Sequence, residues 1–208
     1  MQPLVIPDSL NFFALDTLPV TPWRNGGGET REIISMPPQS SSFDWRASIA
    51  TIAQDGPFSA FPGIDRSITL LTGEGVHLFT SNGSATDGLT ADGIDHQLTT
   101  PAAPFAFSGD TAINAKLTAG TTTDFNIMTR RGVCRSVVSA KRESFYAPLL
   151  MGGVLLVLKG EWLLQGENLL SENQGVVWAN TQDVTLELLL EAKSADSLLI
   201  WAAILPLS

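Results

Sequence analysis

Apolar and polar residues alternate with a period of two along most of this chain, the pattern of strands with one buried face. Phe43, Trp45, Ala47 and Ile49 fall on one side of a segment whose other side carries Asp44, Arg46 and Ser48. Arg66–Leu71 predicts a second strand that ends at the tight turn Gly73-Glu74-Gly75, with Val76–Thr80 returning as its hairpin partner. A polar loop, Ser81–Gly93, follows. Shorter apolar runs at Phe105–Phe107, Ile113–Leu117 and Phe125–Met128 predict further strands, and the first fifteen residues hold a short turn or edge strand. No amphipathic helix longer than about three turns can be drawn.

The same plan occurs twice. Ile68–Leu78 resembles Leu155–Gln165, with Gly73 against Gly160. Phe105–Ser108 then matches Val176–Ala179, Ile113–Leu117 matches Val184–Leu188, and Phe125–Met128 matches Leu199–Ala202. An internal duplication of a small antiparallel unit predicts an all-β fold of two stacked barrels or sandwiches. Either copy alone would bury a marginal core, and packing them together relieves this. The expected division is 1–132 for an N-terminal barrel with the candidate pocket and 133–208 for a degenerate C-terminal barrel. Residues near 133–150 are expected to bridge the halves.

Composition sharpens this picture. Gly (18) and Pro (12) are plentiful and charged residues make up only 16%, which suits short strands and tight turns. The 12 basic and 21 acidic residues leave a net charge of −9, which argues against nucleic acid and anionic membranes as partners. The basic residues concentrate in Arg130–Arg142, a stretch without acids that reads as a solvated strand and turn or as a patch for a protein partner. Cys134 is the only cysteine, so no intrachain disulfide forms, and it reads as a buried structural thiol. No charged leader precedes an apolar run and no apolar stretch spans a bilayer, so a cytoplasmic protein is expected.

Candidate chemistry is sparse. His77 and His96 are the only histidines and do not form an H-x-H pair, so neither a metal nor another cofactor is expected. No G-x-S-x-G elbow is present. Trp23-Arg24-Asn25-Gly26-Gly27-Gly28-Glu29-Thr30 offers three glycines in a row, either a plain turn or a nest of backbone N–H groups for an anion. Arg46 and Ser48 share a strand face, and Arg66 opens the next strand. Together they would suit a carboxylate, because guanidinium grips it through two parallel hydrogen bonds. Asp124 and Asn126 share a face with Met128 and Arg130, turned either to a ligand or to water.

These segments carry a family resemblance. Trp23–Glu32, Phe43–Ala50 and Gly56–Arg66 resemble the HutD/Ves family, and Phe105–Phe107, Leu117–Gly120 and Asp124–Arg130 are similar to its Ves branch. The resemblance runs from about Trp23 to Trp201 and departs from the family pattern at Ser81–Gly93 and in the second half. It implies a bicupin and a non-enzymatic role: binding urocanate or N-formylglutamate in histidine utilisation, or, for Ves proteins, a part in cold and stress responses. Asn25, Gly27, Thr30, Arg46, Ser48, Arg66, Asp124 and Asn126 match family-motif positions and form the candidate ligand site. The expected partners are thus a small carboxylate metabolite and, at most, a second copy of the chain in a homodimer. The alternative is a metal-independent isomerase or hydrolase using Asp124 or Glu32 as base.

Overall fold

The computed structural model describes residues 10–40, 42–80, 93–179 and 186–207. Among them are nineteen strands and no helix, hence none long and apolar enough to cross a membrane. The polar loop expected at Ser81–Gly93 lies, except for Gly93, outside the described residues.

Three strands come first, two short and one long: β1 (Asn11–Ala14), β2 (Val20–Pro22) and β3 (Gly28–Met36). The first repeat then supplies β4 (Trp45–Ile52), β5 (Gly56–Phe58), β6 (Ile64–Thr72), β7 (Val76–Thr80), β8 (Asp95–Leu98), β9 (Pro104–Ser108), β10 (Ile113–Leu117) and β11 (Thr122–Arg130). The second supplies β12 (Cys134–Lys141), β13 (Phe145–Pro148), β14 (Gly152–Lys159), β15 (Trp162–Leu164), β16 (Asn168–Leu170), β17 (Gln174–Ala179), β18 (Glu187–Ala192) and β19 (Leu198–Pro206).

Strand order makes the duplication explicit. The large sheet of the first half runs β2-β3-β4-β11-β6-β9 and the small one β5-β10-β7-β8. In the second half the corresponding orders are β12-β19-β14-β17, extended by β1, and β13-β18-β15-β16. Each half is an antiparallel two-sheet sandwich rather than a closed barrel.

Three details differ from the sequence reading. Val76–Thr80 is a strand, but it does not pair with Arg66–Leu71. β6 belongs to the large sheet and β7 to the small one, so the Gly73–Gly75 turn is a corner between sheets. Gly160 makes the same corner between β14 and β15, and both glycines adopt positive φ (92° and 69°), a conformation that side chains oppose. Second, residues near 133–150 are more than a bridge: Cys134 and Val138 of β12 join the cluster between the halves as expected, but β12 also pairs with β19 and β13 with β18 as strands of the second half. Third, cross-strand pairing moves two of the repeat matches. Ile113 corresponds to Leu188, and Phe125 to Ile200 rather than Leu199.

The apolar faces explain the stacking. Trp45, Ala47, Ile49, Phe125 and Ile127 from the first large sheet meet Val154, Leu156, Val177, Ile200, Ala202 and Ile204 from the second in one cluster. The two sandwiches are therefore joined back to back through their large sheets. This packing turns the other face of β4, β6 and β11 into the interior of the first sandwich. That face carries Arg46, Ser48, Arg66, Asp124 and Asn126.

Candidate functional site

Cross-strand register lays the inner face out in rows. Arg46 of β4 and Arg66 of β6 flank Met128 of β11 in one row, and Ser48 and Ile68 flank Asn126 in the next. Ala50 and Leu70 flank Asp124 one row deeper. Beyond that the sandwich closes on Ile52, Ile68, Leu70, Val76, Leu78, Leu98, Phe107, Ile113 and Ala115. The upper rows open instead into a cavity of about 520 Å³, walled by Trp23, Phe58, Phe61 and Met128 and lined by Arg24, Asn25, Thr30, Arg46, Ser48, Arg66 and Asn126.

Arg66 sits at the centre of this arrangement. It is 6% exposed, and its guanidinium carbon lies 5.1 Å, 5.4 Å and 5.5 Å from the ring centroids of Phe107, Phe61 and Phe58. Nη2 donates to Asn126 Oδ1 (3.2 Å), Nη1 donates a long bond to the Ser59 carbonyl (3.4 Å), and Nε has no partner. No carboxylate among the described residues pairs with it. Burial, and secondarily the charge of Arg46, lower its pKa to about 10. Arg46 is better compensated, with Nε 2.8 Å from Glu32 Oε2, although the angle falls short of a hydrogen bond.

The mouth is built by the turn between β2 and β3. Trp23 Nε1 donates to Thr30 Oγ1 (2.8 Å), which fixes the indole as one wall. Gly28 makes this possible: a Cβ there would lie 2.1 Å from the Thr51 carbonyl oxygen and 3.0 Å from the Trp23 ring. Of the two readings of the glycine triplet, the plain turn is the one found, and the nest does not form. Only Gly26 of the three has positive φ. Its N–H donates to the Trp23 carbonyl (3.0 Å), while the Gly27 N–H donates to Asn25 Oδ1 (3.0 Å). The turn consumes both donors itself, so this segment contributes its side chains rather than its backbone.

Six of the eight candidate residues line the cavity: Asn25, Thr30, Arg46, Ser48, Arg66 and Asn126. Gly27 and Asp124 do not. Asp124 is fully buried beneath them, and its backbone carbonyl accepts from Asn126 Nδ2 (3.4 Å). Its Oδ2 accepts from the Thr122 hydroxyl (3.4 Å) while Oδ1 has no partner, and burial raises its pKa to about 7. Sequence reasoning missed Arg24, Trp23, Phe58 and Phe61. All four lie inside the quoted motifs, yet periodicity assigns no face to Trp23, Arg24 and Phe61, which lie outside strands, or to Phe58 at the end of the three-residue strand β5.

The remaining candidates are structural. His77 Nε2 lies 2.6 Å from Asp95 Oδ1, His96 stacks on Phe105 at 3.7 Å, and no group of three metal-ligating side chains occurs among the described residues. Cys134 is buried and its Sγ donates to the Asp44 carbonyl (3.3 Å), with burial raising the thiol pKa. Within the basic stretch, Arg130 pairs with Asp44 (3.3 Å), and Arg131 with Asp65 and Asp110 (2.7 Å each).

Two stacked antiparallel sandwiches, with a ligand-sized cavity inside the first, make this a double-sandwich protein of the cupin type. The HutD family model matches residues 16–199, and the chain belongs to the HutD family. HutD from Pseudomonas fluorescens is 22% identical, with a TM-score of 0.78 over 96% of this chain and 100% of that one. A conserved protein of unknown function from Pseudomonas aeruginosa is 25% identical, with a TM-score of 0.76 over 96% and 100%. Oxalate decarboxylase from Lactobacillus farciminis, 5% identical with a TM-score of 0.62 over 94% and 86%, shares the fold.

Proposed function

We propose that this protein binds a small carboxylate metabolite in its first sandwich, as a binding protein rather than an enzyme. The observation that carries the reading is Arg66: a buried guanidinium, open to a cavity, with no carboxylate partner. Burying a charge without a counter-charge costs several kcal/mol. A ligand carboxylate would supply the missing counter-charge, meeting the guanidinium where it borders the cavity, and charge-assisted hydrogen bonds of that kind are the strong ones. Asn126 and Ser48 add neutral polar groups, and Trp23, Phe58 and Phe61 offer flat apolar walls for the ligand's body. Family membership supports urocanate or N-formylglutamate as ligand and histidine utilisation as the process modulated. The resemblance to the Ves branch would attach the same site to a stress response. The acid–base alternative is weaker, because neither Asp124 nor Glu32 lines the cavity.

Calorimetric titration with urocanate, N-formylglutamate and simple dicarboxylates tests the reading. At least one should bind wild type, and Arg66→Gln should weaken it about tenfold to a hundredfold, the worth of a charge-assisted hydrogen bond. Equal affinity in a folded Arg66→Gln variant would refute the site.

A further inference from the structure

The ends of the sheets are not alike. Among the described residues, the strands that terminate the four sheets are β1 and β12, β5 and β8, β2 and β9, and β13 and β16. Seven of these eight are three to five residues long, and four of the seven carry a proline: Pro22, Pro57, Pro104 and Pro148. Short strands and prolines blunt an unpaired row of backbone N–H and C=O groups. β12 is the exception. It runs for eight residues without proline, pairs with β19 in unbroken register, and has no strand on its other side.

That open side borders a groove of about 470 Å³. Arg135 and Ser136 are consecutive and point to opposite faces of β12, yet both line the groove, so it follows the strand's edge. Its floor is the face of β6, β9 and β11 turned away from the ligand cavity, with small side chains: Ser67, Ala106 and Thr129. Thr129 is 1% exposed and its hydroxyl has no partner. Charge marks this edge as well. Arg130 and Arg131 are matched by acids, whereas Arg135 and Arg142 have no acidic partner among the described residues. Lys141 lies over the Phe145 ring, 5.3 Å from its centroid, and β19 on the other side of β12 carries no charge. In a chain of net charge −9 this is a local positive edge. Pairing two copies of β12 would bring together three such cations from each, which opposes self-association.

We propose that β12 is a docking edge for another protein, one that presents an extended acidic segment. The segment adds to β12 as a further strand, its backbone hydrogen bonds supplying affinity and Arg135 and Lys141 selecting its charge. These two cations share one face of β12, with the exposed Val137 between them. The segment therefore carries acids on alternate positions and small residues on the face that meets the groove floor. This surface goes beyond the carboxylate-binding reading, and the failure of either leaves the other standing.

The probe is a short fluorescein-labelled peptide of alternating glutamate and threonine. It is set against the same peptide with lysine in place of glutamate, and against one with its backbone N-methylated throughout. Anisotropy should show the glutamate peptide binding about tenfold tighter than the lysine peptide, a preference that weakens as salt is raised. The methylated peptide should not bind. Arg135→Glu combined with Lys141→Glu should reverse the preference, whereas Lys116→Gln, which removes a cation from β10 of the small sheet, should leave it unchanged. In ¹⁵N–¹H spectra the bound peptide should slow hydrogen exchange at β12 amides and not at β1. No binding, an affinity independent of peptide charge, binding of the methylated peptide, or protection away from β12 would overturn the proposal. So would a concentration-dependent dimer that protects β12 without peptide, because a second copy would then be the occupant.

Discussion

The two halves share one topology and opposite interiors. Register equates Arg66, which lies between Met128 and Phe107, with Gly153, which lies between Ala203 and Trp178. In the next row Asn126 beside Ile68 becomes Trp201 beside Leu155, and one row deeper Asp124 beside Leu70 becomes Leu199 beside Val157. Trp162, Trp178 and Trp201 join leucines in the cluster that fills the second sandwich. A Cβ on Gly153 would lie 2.4 Å from the Trp178 ring and 2.7 Å from Trp201, leaving no room there for an arginine. A cavity and, among the described residues, a packed apolar cluster are thus alternative fillings of one backbone plan. The first half keeps polar groups inside that its twin has replaced with rings, as expected of a site retained at a cost in stability.

The largest test of this contrast is a pair of truncations with opposite expected signs. Trp178→Ala should destabilise the protein by about 3–5 kcal/mol in urea unfolding, through lost burial and a void. Arg66→Met should leave stability unchanged or raise it, because removing a buried charge together with its desolvation cost is often favourable. Comparable losses from both would mean that Arg66 is a structural element rather than a waiting site.

Asp124 gives the next effect. Burial raises its folded pKa to about 7, well above the ordinary carboxylate range, so folding favours its protonated form. The native state is penalised progressively as pH rises from about 4 and fully above about 7. Asp124→Asn removes that penalty, so its stability advantage over wild type should reach a few kcal/mol at pH 8 and vanish near pH 3. An advantage independent of pH would refute the assignment. Smaller still is the contrast between corners. Gly73→Ala places Cβ 2.6 Å from the Thr121 carbonyl oxygen, whereas at Gly160 its nearest neighbour is the hydroxyl of Ser194 at 2.1 Å. The first substitution should cost more, about 1–3 kcal/mol, because backbone yields less readily than a serine rotamer. Arg131→Gln, which removes exposed ion pairs to Asp65 and Asp110, should cost about 1 kcal/mol or less.

Local pattern carried the strands and the duplication, because alternation and a corner glycine are written in consecutive residues. It misassigned Val76–Thr80 as the partner of Arg66–Leu71, since the choice between hairpin and sheet-to-sheet corner is made by β10 and β11, far along the chain. The polar face of β4 was ambiguous for a related reason. Arg46 and Ser48 face a cavity only because the small sheet covers them, and alternation reports two faces without saying which one a second sheet will cover. The glycine triplet leaves turn and nest open in sequence, and its nearest neighbours decide for the turn. Asn25 and the Trp23 carbonyl sit next to those N–H groups and satisfy them before any ligand can. Phe58 and Phe61 are aromatics close to Arg66 in sequence, but their convergence on its guanidinium depends on how β5 and the 59–63 connection fold back over β6.

The central claim, that the first sandwich receives a carboxylate at Arg66 while the equivalent described positions of the second are packed with tryptophan and leucine, can be read in one titration. In a ¹⁵N–¹H correlation spectrum of the whole protein, adding whichever of urocanate, N-formylglutamate and the simple dicarboxylates binds best should shift the Arg66 Nε–H and Trp23 Nε1–H signals. The indole signals of Trp162 and Trp178 should stay in place. Stationary Arg66 and Trp23 signals at saturating ligand, or shifts confined to Trp162 and Trp178, would contradict the account.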